Sequence, residues 1–143
     1  MRRTVVPALI LFASVAVGCG TGRKGSAGFR LPDGDPVKGR EAFVANRCYA
    51  CHEVSGMELE APVAETVPIR LGGVVVSPRT DGELATAILN PSHRLAHGPR
   101  EAVKSGTLSR MGDFTETMTL REMIDIVAFL QSTYEEEAPP AYR

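Results

Sequence analysis

The chain is 143 residues long, about one domain's worth. Its 16 Lys and Arg nearly balance 17 Asp and Glu, giving a formal charge of −1. No basic excess of the kind that binds nucleic acid is present, so that class of partner is excluded.

Residues 1–18 read as a signal peptide. Arg2 and Arg3 form a short basic start, Val5 to Val17 is almost wholly apolar, and small residues precede Cys19. The apolar run is too short for a comfortable membrane span, so cleavage after export is expected. The mature chain then belongs to the periplasm or the outer face of a bacterial membrane. Ala16-Val17-Gly18-Cys19 resembles a bacterial lipobox, whose cysteine becomes the acylated first residue of a lipoprotein. The alternative is an ordinary signal-peptidase cut that leaves Cys19 as a free thiol, an odd choice in an oxidising compartment. Lipidation of Cys19, and with it a membrane anchor, is the expectation. Loss of Arg2 and Arg3 leaves 14 basic against 17 acidic side chains, a formal charge of −3.

Residues 19–34 are rich in Gly with Arg, Lys, Ser and Asp, show no periodicity, and read as a flexible tether. Asp35-Pro36 is a helix start, a capping carboxylate followed by Pro at the first helical position. The first helix is predicted over Pro36 to Arg47. Within it Gly39 and Phe43 share one face. A glycine there costs roughly 0.5–1 kcal/mol relative to Ala, which close approach of a second helix would explain.

Cys48-Tyr49-Ala50-Cys51-His52 follows directly. C-x-x-C-H is the attachment signature of a c-type haem. Two thiols at this spacing reach the two vinyl groups of one porphyrin, and the adjacent imidazole can serve as proximal iron ligand. A zinc site would call for a second close pair of Cys or His, yet the third cysteine is Cys19. A dithiol redox pair is expected inside a β-α-β pattern, which is absent. One covalent haem c on Cys48, Cys51 and His52 is therefore expected.

Residues 53–78 are broken by Pro and by Gly72-Gly73 and read mostly as loop; Val74-Val75-Val76 suits a short strand but has no evident partner. Thr80-Asp81-Gly82-Glu83 is a capping box opening a helix to Leu89, closed by Asn90-Pro91. Residues 92–110 are irregular, with one turn near Arg100 to Lys104. A second capping box, Thr119 to Glu122, opens a helix whose apolar face holds Leu120, Met123, Ile124, Val127, Phe129, Leu130 and Tyr134. Residues 135–143 are expected to be disordered. The predicted domain spans 35–134 and is all-α, three to four helices separated by long loops.

The order of these parts resembles the class I monohaem cytochrome c family over residues 35–134. The resemblance implies a small cytochrome c fold with long loops wrapped around one covalently bound haem. Gly39 and Phe43 match the family's G-x-x-x-F/Y pattern, and Ile126, Phe129 and Leu130 match the C-terminal helix that crosses it. Ser109 to Phe114 is similar to the family's M-P-x-F loop, with Gly112 where Pro is usual, which implies Met111 as distal ligand. Met118, His93, His97 and Met57 are the competitors. Pro68-Ile69-Arg70-Leu71-Gly72 is similar to the P-x-L-x-G segment. There the Pro carbonyl holds the proximal imidazole N–H; Pro68 is the nearest match and Pro62 its rival. Leu71 would pack on the haem. Arg70 and Arg79 are candidates to meet its propionates, or else are solvated surface charges. The chain has no Trp for the propionate that some members contact with one.

The function implied is electron transfer between a donor and an acceptor redox protein, with His/Met-ligated iron and no substrate. The alternatives are a haem c subunit of a periplasmic oxidoreductase or oxidase complex, and a five-coordinate haem sensor or enzyme.

Overall fold

The computed structural model describes residues 30–59, 69–95 and 103–137. The first helix, α1 (Pro36–Ala45), starts as its sequence dictates: the Asp35 carboxylate accepts the N–H groups of Val37 and Lys38 at 2.9 and 3.3 Å. It ends at Ala45, before the expected Arg47. Asn46 donates both its backbone and side-chain N–H to the Ala42 carbonyl, and Arg47 takes a left-handed conformation at φ 55°. A non-glycine residue adopts that conformation uncommonly. Here it swings the chain into a 3-10 turn, Cys48–Ala50.

Helices α2 (Asp81–Leu89) and α3 (Leu120–Gln131) begin at the two capping boxes, with both reciprocal bonds made in each. The α3 helix is the centre of the molecule. Met123, Ile124, Ile126, Val127, Phe129 and Leu130 are buried on it, packing with Ala42 and Phe43 of α1 and Leu84, Ala85 and Ile88 of α2. Gly39 has its packing reason: a Cβ there would strike the backbone carbonyl of Asp125. One turn on, Phe43 and Phe129 meet edge to face with ring centroids 5.5 Å apart, a favourable aromatic geometry.

Two expected boundaries move. Gly34 falls in the expected tether, but a Cβ on it would lie 2.6 Å from the Ile124 carbonyl, and Leu31 packs on the core. The folded unit thus begins before Asp35. At the other end Tyr134–Glu136 forms a strand, so ordered structure runs past 134 into the segment expected to be disordered.

The described residues also contain six short strands: β1 (His52–Val54), β2 (Ile69–Leu71), β3 (Gly73–Val75), β4 (Lys104–Ser105), β5 (Leu108–Ser109) and β6 (Tyr134–Glu136). They pair as parallel β1–β2, parallel β3–β6 and an antiparallel β4–β5 hairpin. Strand β3 overlaps the Val74–Val76 run, and its partner is the segment after α3. Gly72 and Gly73 join β2 to β3 with φ of 75° and 82°. A Cβ on Gly72 would meet Thr133, while Gly73 N–H donates to the Thr133 carbonyl at 2.8 Å. Gln131 then ties the end of α3 to the start of α2, its Nε2 donating to the Arg79 carbonyl and to Asp81 Oδ1, both at 2.8 Å.

Candidate functional site

The end of α1 delivers Cys48 and Cys51 into one tight turn, closed by Cys51 N–H donating to the Cys48 carbonyl at 3.2 Å. Both thiols are free. Burial pushes the Cys48 thiol up to about 11, with the neighbouring Cys51 adding to the rise. A nucleophilic dithiol pair needs the opposite, a thiolate at neutral pH. Among the described residues no three His, Cys, Asp or Glu side chains gather closely enough to hold a metal ion. The raised value argues against a reactive dithiol pair, and the C-x-x-C-H spacing fits haem attachment.

His52 opens β1, and the ladder to β2 orients its ring. Ile69 N–H donates to the Cys51 carbonyl at 3.0 Å, and Ser55 N–H to the Leu71 carbonyl at 2.9 Å. This register sets His52 beside Ile69, whose carbonyl lies 3.3 Å from His52 Nδ1. A carbonyl only accepts, so Nδ1 carries the proton and Nε2 keeps its lone pair. Burial pulls the His52 pKa down, against the opposing effect of the Ile69 bond, and favours the neutral ring. A neutral imidazole with one nitrogen fixed by a carbonyl is the form that ligates a metal. Two thiols and such an imidazole fit a c-type haem.

The ring's partner is thus Ile69, one residue beyond the expected Pro68. Pro68 and its rival Pro62 lie outside the described residues, as do His97 and Cys19. The sequence carries no signal for Ile69, because a three-residue strand paired across 17 positions leaves no periodic trace. Leu71 is half-buried against the core. Arg70 is exposed and pairs with Glu53 at 3.3 Å. Arg79 is exposed too, and its carbonyl, rather than its guanidinium, makes the bond to Gln131.

Met111, Met118 and Met57 are all half-buried against the core, while His93 is exposed. Burial does not separate the three methionines, and their backbone settings differ. Met118 N–H donates to the Phe114 carbonyl at 3.0 Å, one residue before the α3 cap. Met111 instead follows the β4–β5 hairpin at the head of a loop, its N–H bonded to Ser109 Oγ at 3.1 Å.

Among the described residues, three helices around an α1–α3 crossing, with C-x-x-C-H at the end of α1, define a small cytochrome c fold. The cytochrome c family profile matches residues 36–134, more than half of the chain, and the protein belongs to that family. No curated protein and no solved structure matches the chain. Family members bind haem c covalently and generally carry electrons, so this is a haem-binding electron-transfer protein.

Proposed function

We propose that the protein is an exported monohaem electron carrier in which Cys48 and Cys51 attach the haem, His52 Nε2 is the proximal ligand and Met111 sulfur the distal one. The observation that carries this reading is the 3.3 Å approach of His52 Nδ1 to the Ile69 carbonyl, which leaves Nε2 with its lone pair on the residue that follows the free thiols of Cys48 and Cys51 in sequence. Bound haem supplies one-electron cycling between ferric and ferrous iron. The protein residues hold it in place and set its potential. The Ile69 carbonyl fixes the imidazole plane, and a soft thioether favours the ferrous state.

The export reading rests on residues 1–18, and the anchor on acylation of Cys19. Among the described residues no helix is long and apolar enough to cross a membrane. The donor and acceptor are redox proteins that meet the carrier outside the cytoplasm. An intact mass showing a mature chain that starts at unmodified Cys19 would remove the anchor and leave the rest of the reading standing.

A Met–iron bond gives ferric members of this family a weak near-infrared charge-transfer band. The band should be present in the wild type and lost in Met111→Ala, with a lower reduction potential. Met118→Leu and Met57→Leu should keep it. Carbon monoxide should bind the reduced wild type poorly. Ready binding without the band would point to a five-coordinate sensor or enzyme instead.

A further inference from the structure

The loop that carries Met111 departs from the family pattern at Gly112, where the stiffening Pro is missing, yet it is tied down from a different direction. Three bonds converge just before it. Ser109 N–H donates to Ser92 Oγ at 3.1 Å, Arg110 N–H to the Val103 carbonyl at 3.1 Å, and Met111 N–H to Ser109 Oγ at 3.1 Å. Ser109 therefore receives on its hydroxyl the amide of Met111 and gives its own amide to Ser92, 17 residues earlier. The β4–β5 hairpin fixes the register of Ser109 opposite Lys104, and Gly106, at φ 64°, makes the turn between the strands. Ser92 itself follows the Asn90-Pro91 close of α2. A continuous path runs from the end of α2, through two serine hydroxyls, to the amide of Met111.

We infer that Ser109, held by Ser92, is a positioning residue for Met111, taking the place of the missing Pro by fixing the backbone of the ligand loop through its hydroxyl. This rests on Met111 being the distal ligand. In this inference the loop opens by a backbone movement at Met111, which breaks the Met111 N–H to Ser109 Oγ bond. Removing that hydroxyl should therefore raise the population of the open loop and change nothing in the ligand itself.

An added ligand such as imidazole binds the ferric protein only from the open state, so its apparent affinity scales with the open fraction. Ser109→Ala in the holoprotein should bind imidazole roughly two- to ten-fold more tightly than wild type, the range a single hydrogen bond supports. Its near-infrared band should disappear at a lower temperature, and the Met111 amide should lose protection from hydrogen exchange. Ser92→Ala should move all three readouts in the same direction by less. Ser109→Thr keeps the hydroxyl and should restore wild-type values, which a mere packing role would not require. Unchanged imidazole affinity and unchanged Met111 amide exchange in Ser109→Ala would overturn the positioning role while leaving Met111 as the ligand. A wild type without the band, or a Met111→Ala variant that retains it, would instead overturn the ligand assignment and this inference with it.

Discussion

The backbone carbonyl of Asp125 occupies the space that a Cβ on Gly39 would need. Neither partner can yield cheaply, because one is a peptide group inside α3 and the other the spine of α1. Helix propensity alone says that Gly39→Ala should stabilise by about 1 kcal/mol. The crossing says the reverse: the helices must separate, loosening Phe43 from Phe129, at a net loss of about 1–3 kcal/mol. Urea unfolding of the holoprotein decides between them, and a rise in midpoint would show that the crossing is looser than its geometry.

Asp125 has a second part in the same crossing. It is 4% exposed, its Oδ1 accepts Asp35 N–H at 2.9 Å, and Arg121 Nη1 stands 3.6 Å away. The residue that caps α1 is thereby itself held by α3. Asp125→Ala should cost about 1–3 kcal/mol by leaving the Asp35 amide without its partner. Asp125→Asn keeps an acceptor and should cost clearly less. Equal losses in the two variants would mean that the charge, and not the hydrogen bond, is what matters.

How much of this was legible in the sequence follows from the range of each interaction. Asp35-Pro36 and the boxes at Thr80–Glu83 and Thr119–Glu122 act within four residues, and the three helices among the described residues start where those residues place them. C-x-x-C-H and the Gly39–Phe43 face are equally local. The β3–β6 ladder joins Val74 to Glu135, and β1–β2 joins His52 to Ile69. Strands of three residues are too short for alternation to show, and their pairing is a property of the folded chain. Asp125 is illegible for the same reason: one carboxylate amid an apolar run acquires its role only when Asp35 arrives from 90 residues away.

The capping box of α3 gives a pH dependence with a defined sign. Glu122 is held below its usual carboxylate range mainly by the Thr119 hydroxyl and amide, which donate to Oε2 at 2.7 and 2.8 Å, with a lesser contribution from the Asn46 side chain. A carboxylate depressed in the folded state stabilises above its unfolded pKa, and that contribution is lost as pH falls through the folded value. Glu122→Gln should therefore be less stable than wild type at neutral pH, with the gap closing as the pH falls below roughly 4.5. Melting temperatures of both proteins across that range provide the measurement. A gap that stays constant down to the acid limit would assign the effect to side-chain shape instead of charge.

Attachment makes the strongest demand on Cys48 and Cys51. In the wild type one haem mass should stay with the polypeptide after denaturation, and neither thiol should react with an alkylating reagent. Either single Cys→Ala variant should keep one thioether and protect one thiol. The double variant should yield little holoprotein and lose most of its helical circular dichroism, because a chain of this size has little core to spare. A double variant that folds normally without haem would remove the basis for reading this turn as an attachment site.

Gly112 is where the ligand loop departs from its family, and the structure gives no steric reason for a glycine there. Its φ is not positive, and among the described residues a Cβ would meet nothing within 4 Å. What the glycine supplies is freedom, since it widens the set of open-loop conformations without improving the closed one. Gly112→Ala should shrink the open ensemble by about 0.4–1 kcal/mol. Imidazole affinity of the ferric protein should then fall by roughly two- to five-fold, opposite to the effect of removing the Ser109 hydroxyl. The near-infrared band should keep its position, because the Met111 sulfur and its approach to the iron are untouched. Combined with Ser109→Ala, the substitution should return the affinity toward wild type, since one change favours the closed loop and the other the open one. Tighter imidazole binding in Gly112→Ala alone would show that the closed loop depends on a glycine at this position, and that its replacement of Pro is a requirement of the fold.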